Sequence, residues 1–140
     1  MSDANREDKT FEDVEFGEDL PETQPDVSLD NVKLFTQAAH MPHSRFTDHE
    51  AARDAGLPGA IVPGIMSQGI LVALIHRWAP NAEIETVDTI FRAPLIVDTK
   101  PVASGVVTDI DEETRVIEID LMLKNERGET PVVGTARITL

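Results

Sequence analysis

The chain has 140 residues, 41% of them apolar, with 26 Asp and Glu against 12 Lys and Arg and a formal net charge of −14; that is chain for one compact domain and excludes a second catalytic one. The absence of cysteine excludes a disulfide scaffold, a Cys-ligated zinc or iron–sulfur site and a thiol nucleophile. The charge repels nucleic-acid phosphates and anionic lipid, and no apolar run nears the ~18 residues of a membrane span, so we expect a cytoplasmic protein with no nucleic-acid or membrane partner.

Residues 1–30 hold eleven Asp and Glu and only two basic residues, and residues 1–10 read as an acidic flexible tail before a single domain over 11–140. Phe11, Val14 and Phe16 suggest a short strand, with an extended lead-in through Pro21 and Pro25. Ser28 caps a helix over 29–39 that shows Val32, Phe35 and Ala39 on one face. His40-Met41-Pro42-His43-Ser44-Arg45-Phe46 has no period and reads as an irregular loop. Thr47-Asp48-His49-Glu50 matches a capping box, opening a short helix that Gly56 and Pro58 stop. Pro63 opens a long helix ending before Pro80, apolar on nearly every face and so enclosed by other structure.

Beyond Pro80 the period changes to two. Strands are predicted over 83–91, 101–110, 114–124 and 132–140, with turns at Asp111-Glu112-Glu113 and Asn125-Glu126-Arg127-Gly128. In the third, Ile117, Ile119, Leu121 and Leu123 point inward, and Glu118, Asp120 and Lys124 outward. One buried helix followed by four strands on short turns gives an α+β fold, an antiparallel sheet wrapped around a long central helix. Such a sheet leaves an edge strand that a homodimer would cover.

The helix opening Ile61-Val62-Pro63-Gly64-Ile65-Met66, the strand entry Phe91-Arg92-Ala93-Pro94-Leu95 and the opening phrase Phe11-Glu12-Asp13-Val14-Glu15-Phe16-Gly17-Glu18 carry a resemblance. With Asn125 and Gly128 in the last hairpin, the chain from about Phe11 to Leu140 resembles the MaoC-like acyl dehydratases, the group containing the (R)-specific enoyl-CoA hydratases. The resemblance implies the hot-dog fold and a homodimer or higher hot-dog oligomer. It also implies an acyl-CoA or carrier-linked acyl substrate, with coenzyme A as part of the substrate and no other cofactor.

The catalytic loop of that group reads Gly-Asp-x-Asn-Pro-hydrophobic-His, and counting back from Ala52 places Phe46 at its histidine. His40 then matches the glycine, Met41 the aspartate, His43 the asparagine, Ser44 the proline and Arg45 the hydrophobic residue. A thioether and a phenyl ring cannot move the protons that enoyl hydration requires. His40 and His43 are candidate replacements, since an imidazole serves as acid or base near neutrality, against the alternative that they are solvated loop residues.

The resemblance assigns the backbone N–H of Gly64 to the thioester carbonyl, at a helix start that presents unpaired donors and positive dipole character. Pro63 stands where the group often has histidine. Met41, Phe46, Pro63, Ile65 and Met66 are candidate lining for an acyl slot; Met41, Ile65, Met66 and Trp78 fit the core equally well. His49 and His76 read as structural, Asp48 as a helix-terminal charge, and Ser67 as a packing residue without a base beside it. The histidines lack metal-ligand spacing, and no metal is expected. Three readings follow: an acyl-thioester hydratase with a departed loop, a non-catalytic subunit completing the pocket of an active homologue, and a thioesterase.

Overall fold

The computed structural model describes residues 7–140. The proposed tail over 1–10 therefore lies largely outside the described residues; within it, the Lys9 backbone exchanges hydrogen bonds of 2.9 and 2.8 Å with the Asn81 side chain. The first apolar cluster forms a 3-10 turn over Phe11–Asp13, where a strand was expected. Asp13 turns back to accept hydrogen bonds from the Thr10 N–H and hydroxyl, closing a local ring that competes with extension.

Strand β1 (Asp19–Thr23) instead occupies the expected lead-in. Pro21 is tolerated because β1 lies at a sheet edge and its register shifts between Leu20 and Thr23. Helix α1 (Leu29–Ala38) starts as predicted, the Ser28 hydroxyl accepting the Asn31 N–H at 3.3 Å. Its buried face is Val32 and Thr36, while Ala39 is exposed at the cap.

The segment read as an irregular loop contains a helical turn, α2 (Ser44–Thr47), because the Nδ1 of His43 accepts the Arg45 N–H and caps it. Helix α3 (His49–Asp54) begins one residue later than the capping box suggested: the Asp48 carboxylate accepts the N–H groups of Glu50 and Ala51. Gly56, at φ 91°, ends this turn in the left-handed region.

Helix α4 (Gly64–Trp78) runs through the middle of the fold. Met66, Ser67, Leu71, Leu74, Ile75 and Trp78 are buried, but Ile65, Gly69, Ala73 and Arg77 form an exposed stripe at helical spacing. Full enclosure is thus a correction: the sheet covers one side of the helix and leaves the other to solvent.

Strands β2 (Glu83–Phe91), β3 (Val102–Ile110), β4 (Ile117–Lys124) and β5 (Val132–Thr139) follow. With β1 they make one antiparallel sheet in the order β1-β3-β4-β5-β2. The alternation read in β4 is observed, with Ile117, Ile119, Leu121 and Leu123 at most 1% exposed. Each such side chain taken from water contributes about 1.5–3 kcal/mol, and together with the inner face of α4 they form the core. Strand β2 hydrogen-bonds only to β5, so its other edge is unpaired among the described residues, and it ends in the exposed Ile90 and Phe91.

Candidate functional site

The start of α4 is built by two crossing segments. The Val62 N–H donates to the Leu95 carbonyl at 2.8 Å and the Val97 N–H to the Ala60 carbonyl at 2.9 Å, with a bridge between Ile61 and Ile96. These bonds hold the helix opening beside the end of β2. Pro63 occupies the N-cap with extended backbone (φ −56°, ψ 140°), one place earlier than the first helical position predicted for it. It offers no side-chain acceptor, so the first N–H groups of α4, beginning with Gly64, keep no cap partner.

The Phe91 ring stands directly over Gly64. A Cβ at residue 64 would lie 3.1, 3.3 and 3.5 Å from three ring carbons, so glycine is what permits this close approach. Around them lies a groove of about 350 Å3 lined by Ile61, Val62, Phe91, Leu95 and Val132 together with Gly64, the buried Ser67 and Arg92. A second groove of about 580 Å3 continues from it across Arg92–Leu95, bounded by the Asn125–Pro131 hairpin and carrying Arg127. The first groove combines apolar walls, a positive helix end and a guanidinium; its lining includes no imidazole and no carboxylate.

Of the residues singled out from sequence, Gly64 lines this groove, while His40, Met41, His43, Phe46, Pro63, Ile65 and Met66 do not. Phe46 is buried to 5% exposure, between the Arg45 guanidinium 4.9 Å from its centroid and the His43 ring at 6.1 Å. Met41 packs on the core and Met66 lies in it, whereas Ile65 points to solvent. Trp78 also belongs to the core, its indole N–H donating to Glu18 at 2.9 Å.

His40 is exposed at φ 56°. It is the left-handed residue of a Schellman closure, in which the Met41 N–H donates to the Thr36 carbonyl at 2.7 Å and the His40 N–H to that of Gln37 at 3.3 Å. His43 is exposed, with Nδ1 engaged in capping α2. Among the described residues Ser67 is buried with no imidazole or carboxylate on its hydroxyl, and His76 bonds the Ala82 carbonyl at 3.1 Å.

Sequence reasoning missed two features. Phe91 reads from sequence only as part of the strand-entry motif, and its ring reaches Gly64 through the sheet rather than through any local spacing. The second is a His–Asp pair: His49 Nε2 lies 2.8 Å from the Asp98 carboxylate, and its Nδ1 accepts the Ala60 N–H at 3.0 Å. Asp98, at φ 66°, also accepts the Leu29 N–H at 2.8 Å. The bond from His49, and next the one from Leu29, hold the Asp98 carboxyl below its ordinary range. Residues 49 and 98 are too distant in sequence for spacing to reveal them.

The fold has close counterparts among solved structures. The (R)-hydratase from A. caviae involved in PHA biosynthesis superposes with a TM-score of 0.85 at 17% identity, over 91% of this chain and 97% of that one. The chain adopts the hot-dog fold of the MaoC-like dehydratases. Two further hot-dog counterparts come from paired assemblies of Mycobacterium tuberculosis. The ChsH1–ChsH2 complex matches with a TM-score of 0.82 at 19% identity, over 90% of this chain and 98% of that one. The HadBC (3R)-hydroxyacyl-ACP dehydratase complex matches at 0.68 and 18%, over 89% and 96%. No family model matches this hot-dog chain, and no curated protein matches it. Among its described residues no helix is long and apolar enough to cross a membrane, and no three His, Asp or Glu side chains converge as metal ligands would.

Proposed function

We propose that this protein is the binding half of an acyl-thioester site in a paired hot-dog hydratase. The Gly64 N–H receives the thioester carbonyl oxygen, the acyl chain takes the apolar groove under Phe91, and the coenzyme A or carrier arm leaves along the adjoining groove past Arg92 and Arg127. A second hot-dog chain, seated on the unpaired edge of β2, contributes the acid and base.

One observation carries this reading: the groove retains the electrostatic donor for a developing enolate but is lined by no group able to exchange a proton near neutrality. The positions where the resembling group keeps its aspartate and histidine hold Met41 and Phe46, both spent on packing. The free β2 edge and the exposed Ile90 and Phe91 support a partner, as does the occurrence of counterparts in two-protein complexes. A self-sufficient hydratase would instead have to route its protons through His40 or His43, and a thioesterase through an activated water.

The test offers trans-2-enoyl-CoA substrates of several chain lengths to the purified protein, in low and in multimolar salt to suit its acidic surface. Binding, hydration and release of free coenzyme A are measured separately. Saturable binding with neither reaction, and hydration only beside a second hot-dog chain, is expected. Hydration by the protein alone that His43→Ala abolishes, or coenzyme A release, overturns the reading.

A further inference from the structure

The loop entering α4 is fastened by backbone bonds from Ile61, Val62 and Val97 and by one side chain, and that side chain is an imidazole. His49 Nδ1 accepts the N–H of Ala60, whose residue is fully buried, and its Nε2 faces the Asp98 carboxylate. With one N–H donor and one carboxylate acceptor as partners, the ring is assigned a single tautomer, protonated at Nε2 and bare at Nδ1. Asp98 accepts a second bond from the first residue of α1, and its own N–H donates to the Val27 carbonyl. The pair thus ties α1, α3, the Ala60 segment and the Leu95–Asp98 loop together. Ala60–Val62 and Leu95 are also the segments that hold Gly64 in place and wall its groove.

We propose that His49 is the positioning residue of the Gly64 site and that a single proton unlatches it. A second proton can enter only at Nδ1. There it converts the acceptor of the Ala60 N–H into a donor, so two N–H groups face each other and the buried Ala60 amide loses its partner. Asp98 keeps the resulting imidazolium in place by charge, so the ring stays while the Ala60 amide is freed and its segment is left with the backbone bonds at Ala60, Ile61 and Val62 alone. Among the described residues, the other charged or titratable groups on the converging segments are His43, Arg45, Asp48, Glu50, Arg53 and Asp54 around α2 and α3, Asp26, Asp30 and Lys33 at and along α1, and Lys100 after Asp98. Asp98 alone is within hydrogen-bond distance of the ring. The effect on ligand rests on the proposed thioester reading of Gly64; the latch itself does not.

The experiment uses the full-length protein labelled with 15N. Long-range imidazole spectra follow the protonation state of His49, and hydrogen exchange follows the Ala60 amide, as pH is lowered stepwise from neutrality. Crotonyl-CoA binding is titrated in parallel. Protonation of His49 is expected to coincide with loss of Ala60 protection and with binding weakened about tenfold. His49→Gln, whose amide oxygen can accept from Ala60 while its NH2 donates to Asp98, is expected to bind without that pH step. If His49→Gln does not fold, the wild-type Ala60 exchange profile decides alone. An Ala60 amide that stays protected once the imidazolium has formed overturns the latch. Ala60 release without binding at any pH upholds the latch and sinks the thioester reading, whereas pH-independent binding with Ala60 still protected does the reverse.

Discussion

Replacing Gly64 by alanine separates the site from the fold. The added methyl would meet three carbons of the Phe91 ring at 3.1–3.5 Å, where unstrained carbon contacts sit at about 3.5–4.0 Å. The ring must therefore retreat by a few tenths of an ångström. It can do so, because Phe91 is 54% exposed at the last position of an edge strand. The steric penalty is then partly offset by alanine's better helix propensity, at most about 1 kcal/mol and less at a first helical position, and stability should stay within about 0.5 kcal/mol of wild type. Ligand binding should not be spared, since the methyl enters the groove beside the N–H. Losing one hydrogen bond to a thioester carbonyl, about 1–1.5 kcal/mol, weakens binding roughly five- to tenfold. Urea unfolding and calorimetric titration with crotonyl-CoA read the two quantities. In a Phe91→Ala background the steric penalty should vanish while the binding loss remains. Undiminished binding by Gly64→Ala would refute the amide as the carbonyl's anchor.

Gly134→Ala should cost about 2 kcal/mol by urea unfolding, because its Cβ would sit 2.9 Å from the Asp88 backbone oxygen on the adjacent strand, which cannot swing aside. His40→Gly should leave stability unchanged or raise it by up to about 1 kcal/mol, since the left-handed turn at φ 56° suits glycine better. A carboxyl held low by folding adds stability that is present above its unfolded value, near 4 for aspartate, and lost as pH falls through the folded one. Asp98→Asn should therefore flatten the acid limb of a stability–pH curve below about pH 4. Ile90→Lys, on an exposed residue of β2, should abolish pairing with a second chain in sedimentation experiments while leaving the monomer's circular dichroism unchanged.

The fold was legible wherever burial imposed a period. The alternation of Ile117, Ile119, Leu121 and Leu123 and the apolar run after Pro63 report which atoms meet the core, and the Ser28 cap reports a local hydrogen bond. Elements decided by side chains reaching a few residues back were missed: Asp13 bending onto Thr10, and His43 capping α2. At the candidate site, resemblance singled out Gly64, which the structure places on the lining of a groove. The Phe91 ring over it and the His49–Asp98 pair depend on segments brought together by the sheet, which no local pattern encodes.

The two margins of the sheet are unequal. Both edge strands carry a register shift and exposed acids, but β1 is five residues long and interrupted by Pro21, whereas β2 runs nine residues without proline and pairs regularly from Thr86 to Phe91. Growth by strand addition is therefore open on one flank and blocked on the other. Two chains joined through β2 would present only the obstructed flank at each end, so assembly terminates after a single step and the joined sheet is kept from running on into fibres.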